Sequence, residues 1–144
     1  FGGAAMSEAN KQLVRRWFEE VWNQRSEAAI DAMFHRDGIS YGFPSPESAL
    51  KGPEDFKIIH SNFCGAFPDL HVTVEDLIAE GDKVAARWTV TMTHLGDHLG
   101  IRPSGVKATL TGTSIVVIKD GMIREGWNHM DLGHLFKTLE AVAE

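Results

Sequence analysis

The stretch Leu70–His94, LHVTVEDLIAEGDKVAARWTVTMTH, decides the fold. Leu70, Val72 and Val74 alternate with polar residues, which is the period-two signature of a strand with one buried face. Glu80-Gly81-Asp82 turns the chain, and Lys83 to His94 runs back as a second strand. Beyond a connection rich in Gly, His and Pro (Leu95 to Ser104), Val106 to Ile118 gives a third strand. Asp120-Gly121 is a strong hairpin signal that returns Met122 to Asp131 as the fourth. Three adjacent strands run to roughly ten residues or more, where about five or six is usual. Long twisted antiparallel strands coil, and the concave side of a coiled sheet needs filling.

The filling comes from upstream. Leu13, Val14, Trp17, Phe18, Val21 and Trp22 recur at helical spacing, predicting an amphipathic helix from about Ser7 to Asn23 with Lys11, Arg15, Glu19 and Glu20 on its wet side. Ser26 caps a second short helix carrying Ile30, Met33 and Phe34, and Ile39 to Phe43 is β-prone. Gly52-Pro53 opens a third helix, with Phe56, Ile59, Phe63 and Phe67 on one face until Pro68. A closing helix from Leu132 carries Leu135, Leu139 and Val142. Helices first and a strand meander after them is the α+β pattern. The expected architecture is a curved antiparallel sheet wrapped around helices, a cone-shaped barrel enclosing an apolar pocket, with at least four strands and three helices.

Composition narrows the function. The 144 residues are 43% hydrophobic and 24% charged, ordinary for one globular domain. A formal charge of −6 disfavours nucleic acid or an anionic membrane surface as partner. No stretch approaches the roughly 18 apolar residues of a membrane span, and no secretory signal pattern is seen. Cys64 stands alone, without a disulfide partner or a CxxC metal site, and suits a reducing cytoplasm. The leader FGGAA (1–5) reads as a cloning remnant ahead of a single domain over 6–144.

Four segments together resemble the SnoaL-like polyketide cyclase family, within the larger cone-shaped nuclear-transport-factor-like superfamily. They are VRRWFEEVWNQ, AFPDLHVTVEDLIAEGDKVAARW, TMTHLGDHLGIRPSG and DGMIREGWNHMDLGHLFKTL. Thr93, His94, Gly96, Gly100, Pro103, Gly105, Trp127 and Asp131 stand at the family's places, with Ser104 where a threonine is usual. The resemblance implies the cone fold and a ligand pocket. The superfamily also holds ketosteroid isomerase, scytalone dehydratase and limonene epoxide hydrolase, so fold alone does not choose a reaction. In the family's cyclases an aspartate three residues before the final one works as general acid/base. Here that position is Asn128, whose amide cannot take up a proton at neutral pH. Ser114 stands where the characterised cyclase has a histidine, and Trp22 matches a pocket aromatic.

The candidates carry two readings each. Asn128 either donates to a substrate carbonyl or satisfies its neighbours on the pocket floor. Asp131 is a catalytic acid or, preferred, the cap of the closing helix. Arg87 shares a polar face with Thr89, Thr91 and Thr93 and holds either a ligand oxygen or a protein carboxylate. His94 and His98 lie in a loop-like segment without a third ligand, so no metal site is expected; His94 fixes the strand end, and the segment is a candidate gate. Trp22, Tyr41, Phe63, Ser114, Met130 and His94 are the expected ligand-binding residues.

The resulting expectation is a cofactor-independent pocket enzyme acting on a small apolar or aromatic oxygenated molecule by proton abstraction and ring closure or isomerisation. The alternatives are a non-catalytic binding protein of the same fold and, third, an epoxide hydrolase. Trp88 and Trp127, on strands apolar on both faces, suggest a homodimer across the outer sheet face.

Overall fold

In the computed structural model, which describes residues 2–143, the long strands lie where the alternation places them. They are β3 (His71–Glu80), β4 (Lys83–Thr93), β5 (Lys107–Lys119) and β6 (Met122–Met130), joined in an antiparallel meander. Before them come α1 (Gly2–Arg16), α2 (Glu27–Met33), β1 (Phe34–Tyr41), β2 (Ala49–Lys51) and α3 (Gly52–Ala66); α4 (Leu132–Ala143) follows. The six strands form one sheet in the order β2-β1-β6-β5-β4-β3. This is the expected α+β class, a curved sheet with helices in its hollow. Two details refine it. The joint of β1 with β6 is parallel, and the sheet is open at β2 and β3 instead of closing into a barrel.

Alternation decides which face of the meander meets the helices. On β4 the buried set is Val84, Ala86, Trp88, Val90 and Met92, and Arg87, Thr89 and Thr91 point the other way. Burying a large apolar side chain is worth about 1.5–3 kcal/mol. Four such side chains and Ala86 on one face outweigh any preference of the threonine face, which is left outside.

The first helix runs to Asn23 as expected, but its last stretch, Trp17–Asn23, is wound as a π-helix. Winding with i→i+5 bonds brings residues five apart onto nearly one face. Trp17 and Trp22 are five apart, and both pack edge-on against Phe56 of α3, at ring separations of 5.1 and 5.9 Å. The end of this segment is stitched to the sheet edge. Asn23 exchanges two hydrogen bonds with the Val72 backbone (Nδ2–H to O 3.0 Å; N–H to Oδ1 2.7 Å), and Arg25 donates to the carbonyls of Pro68 and Leu70.

Ser26 caps α2 by accepting from the Ala29 N–H at 3.1 Å. The helix ends at Met33, so Phe34 opens β1 instead of closing the helix, while its ring remains in the core. Pro53 sits in the first turn of α3, where no N–H is needed. Of the leader, Phe1 lies outside the described residues, and α1 begins at Gly2. No described helix is long and apolar enough to cross a membrane.

Candidate functional site

Between the concave sheet face and the helices lies a cavity of about 100 Å³. Its walls are aromatic and aliphatic: Trp17, Phe18 and Trp22 from the first helix, Phe56 and Phe63 from α3, and Trp88, Val90 and Met92 from β4. Its floor is polar at Ser40, Ser114 and Asn128, and open at Gly126, where an added Cβ would meet nothing within 4 Å. Among the described residues, no Asp, Glu, Lys, Arg or His side chain lines it.

The floor is one connected network. Trp88 Nε1–H donates to Ser114 Oγ at 3.1 Å, and Ser114 donates to Asn128 Oδ1 at 2.8 Å. Asn128 Nδ2 donates to Ser40 Oγ at 3.0 Å and to the Tyr41 carbonyl at 2.9 Å. β-register creates this: Ser114 and Asn128 are direct partners on β5 and β6, and Ser40 lies beside Gly126 across the parallel joint. Glycine at 112 leaves room for the Trp88 ring to lie over β5, since an added Cβ would fall 2.4 Å from that ring.

Of the residues singled out from sequence, Trp22, Phe63, Ser114, Asn128 and Met130 line the cavity together. Arg87 does not. It stands on the convex face with 60% of its side chain exposed and pairs with Asp76 at 2.7 Å, a protein carboxylate on the neighbouring strand. Tyr41 is also outside: its ring stacks on Trp127 at 5.8 Å, and only its carbonyl reaches the floor. Asp131 caps α4 by accepting from the His134 N–H at 3.0 Å. His94, expected at the ligand, does not line the cavity: it is fully buried beside Phe67, and its Nδ1 accepts from the Ser104 N–H at 3.1 Å. This bond closes the base of the 95–104 connection, and the Leu95 and Gly96 N–H groups fasten the same segment to the Ala66 carbonyl. No residue of that connection lines the cavity; Leu99, Gly100 and Ile101 instead edge a second hollow shared with Phe63 and Phe136.

Sequence reasoning missed Ser40 and Gly126 and put Trp88 on the wrong face. The alternation of Ile39, Ser40 and Tyr41 was visible, but which of the two sets faces inward depends on the parallel pairing with β6. For Trp88 the signal was present, because it shares parity with Val84, Val90 and Met92.

Two titratable groups sit behind the wall. His60 of α3 donates from Nε2 to the Val21 carbonyl in the π-helical turn at 2.6 Å, and its ring packs 4.9 Å from Trp22. Burial pushes its pKa below the usual imidazole value and pushes the Cys64 thiol up. Both are therefore held neutral. Among the described residues no three His, Cys, Asp or Glu side chains gather into a metal-sized group.

Comparison with known proteins agrees with the geometry. The chain superimposes on a SnoaL-like protein of Jannaschia sp. CCS1 with a TM-score of 0.84 at 24% identity, covering 94% of each chain. AclR of Streptomyces galilaeus matches at 0.79 and 26%, covering 94% of this chain and 83% of AclR. TsrD of Streptomyces laurentii matches at 0.78 and 28%, covering 93% of this chain and 96% of TsrD. No curated protein sequence matches the chain significantly. The family pattern for SnoaL-like polyketide cyclases matches residues 12–139, from the first helix through α4, and by that match the chain belongs to the SnoaL-like polyketide cyclase family.

Proposed function

We propose that the cone takes up a compact, largely apolar, oxygen-bearing small molecule and promotes a cofactor-independent ring closure or isomerisation of it. The observation that carries this reading is the make-up of the cavity: aromatic walls around a short polar floor. Because none of the described residues that line it carries a titratable side chain, the protein's part is to fold the substrate and polarise its oxygen. The proton would leave an already acidic position, such as the carbon between two carbonyls, to water. Asn128 belongs in this reading as a floor residue, with Trp22, Phe63 and Met130 as walls; Arg87 and Asp131 have no role in it.

A second reading, a carrier or sensor without turnover, is favoured by Asn128 standing where the family's cyclases hold a carboxylate. The two separate on one experiment. Aromatic and aliphatic 1,3-dicarbonyl compounds are screened by ligand-detected NMR, and binders are followed for cyclised or isomerised product. Product formed faster than in buffer supports the enzyme; binding without acceleration supports the carrier. Absence of any binding overturns both.

A homodimer across the convex face is part of the same proposal. Tyr41, Trp127, Ile115, Ala85 and Ile78 are successive register partners and form an apolar row across five strands on the outer face. Charges of both signs flank the row, Arg87 and Asp76 on one side and Lys83 and Glu125 on the other, which suits a second copy related by a two-fold axis. The lone, buried-side thiol of Cys64 fits a cytoplasmic setting.

A further inference from the structure

We infer that Ser40 is the residue that engages the ligand, as a hydrogen-bond donor to a carbonyl-type oxygen, and that Asn128 is a positioning residue acting through it. The inference rests on the ligand-binding reading of the cavity given above.

The direction of the floor network is fixed at both ends. An indole N–H can only donate, so Ser114 Oγ accepts from Trp88. A backbone carbonyl can only accept, so the Asn128 atom 2.9 Å from Tyr41 O is its nitrogen. The amide oxygen therefore faces Ser114, whose proton it takes at 2.8 Å. Both amide hydrogens are used, one on the Tyr41 carbonyl and one on Ser40 Oγ. Asn128 has no N–H left for a ligand.

Ser40 is the open end. Its side chain is buried, with the residue only 6% exposed, and it borders the cavity next to the gap over Gly126. Among the described residues its Oγ has a single hydrogen-bond partner, the Asn128 Nδ2 that it accepts from. Its own O–H proton has no protein acceptor, and a buried donor left unpaired is unfavourable. Accepting a bond also makes a hydroxyl a better donor, so the chain from Trp88 through Ser114 and Asn128 strengthens this one proton. The site presents a donor beside an apolar gap, with no cation among the described residues of the lining. Its complement is a neutral molecule with an oxygen acceptor, such as a ring ketone.

The test uses the full chain and a matched pair of probes, 1-indanone and indane, which differ by the carbonyl. Wild-type protein is expected to bind 1-indanone about tenfold more tightly than indane by calorimetry, the worth of one neutral hydrogen bond. The infrared carbonyl stretch of bound 1-indanone should move to lower frequency than in an apolar solvent. In Ser40→Ala the tenfold preference and the frequency shift should both vanish while indane binding holds. Ser40→Cys, which keeps a similar volume with a weak donor, gives the same comparison if the alanine variant does not fold. A preference and shift that survive both substitutions overturn the assignment, as does equal binding of the two probes to wild type; in those cases the ligand pocket stands. Failure of both probes to bind wild type removes the pocket reading and this inference with it.

Discussion

The Trp88 indole lies across Gly112 so closely that a Cβ on the glycine would fall 2.4 Å from two atoms of the ring and 2.8 Å from the His129 carbonyl oxygen. The fit lets the ring reach Ser114. Gly112→Ala should therefore destabilise the chain by about 1–2 kcal/mol, because overpacking of this kind costs roughly 1–3 kcal/mol. The lower backbone entropy of alanine returns only part of that. Urea unfolding followed by tryptophan fluorescence measures it, and an unchanged midpoint would show that β5 has slack at this position.

His60 makes stability depend on pH. Desolvation holds its pKa below the value of about 6.5 that it has when unfolded, outweighing the opposing help of the Val21 carbonyl and of Glu27. The unfolded chain thus binds more protons just below pH 6.5, and stability falls as the pH drops from there toward the folded-state pKa. His60→Gln keeps a side-chain N–H for Val21 and removes the titration. Its urea midpoint should change less between pH 7.5 and 5.5 than that of the wild type; parallel slopes would refute the claim.

Gly126 offers a plug for the cavity. An added Cβ meets nothing within 4 Å, and the backbone there is ordinary strand, bridging Val116 and Ser40. Gly126→Val should raise the melting temperature, since cavity filling and strand propensity together commonly yield about 0.5–2 kcal/mol. The same variant should lose binding of 1-indanone. Binding that persists would place the ligand elsewhere, with the second hollow beside Phe63 and Phe136 the next place to look.

The convex row predicts assembly. Sedimentation at micromolar concentration should give about twice the 15.9 kDa of the chain. Ile115 is 39% exposed and central in the row, so Ile115→Lys should return a monomer with its cavity intact. A monomeric wild type would remove the dimer from the proposal.

The fold was legible because its long strands write their burial in alternation; parity with Val84, Val90 and Met92 also carried the inward face of Trp88, which the reading of Arg87 and the threonines as a cavity face turned outward. The π-helical turn was not legible, because Trp17 and Trp22 fit an α-helical stripe nearly as well; the winding shows only in the packing, where both rings meet Phe56. At the site, the resemblance located Asn128 and Ser114 by family position. It could not locate Ser40, whose inward face is set by pairing between segments more than eighty residues apart. Arg87 attracted a functional reading for the charge it carries on an apolar strand. Its partner Asp76 lies eleven residues away across a bulged hairpin, and alternation alone does not supply that register.

Replacing Asn128 by the family's carboxylate tests the network most severely. In Asn128→Asp the hydrogens given to Tyr41 O and Ser40 Oγ are gone. One carboxylate oxygen is left facing a carbonyl oxygen, and Ser40 must turn its proton toward the aspartate, away from the cavity. Unmade bonds of this sort cost about 1–3 kcal/mol, more when a charge is involved. Burial and the facing carbonyl would raise the new carboxyl's pKa in the folded state above the unfolded value of about 3.9. A group with its folded pKa raised is most stable below the unfolded value and loses stability as pH rises through the folded one. The variant should therefore approach wild-type stability near pH 3.5 and fall behind it by pH 7, and 1-indanone should lose its advantage over indane at pH 7. Urea midpoints at the two pH values check the first outcome and calorimetry the second. A deficit that stays constant with pH would show that the new carboxyl is neither desolvated nor opposed by the Tyr41 carbonyl, and that residue 128 does not sit on a closed floor as described.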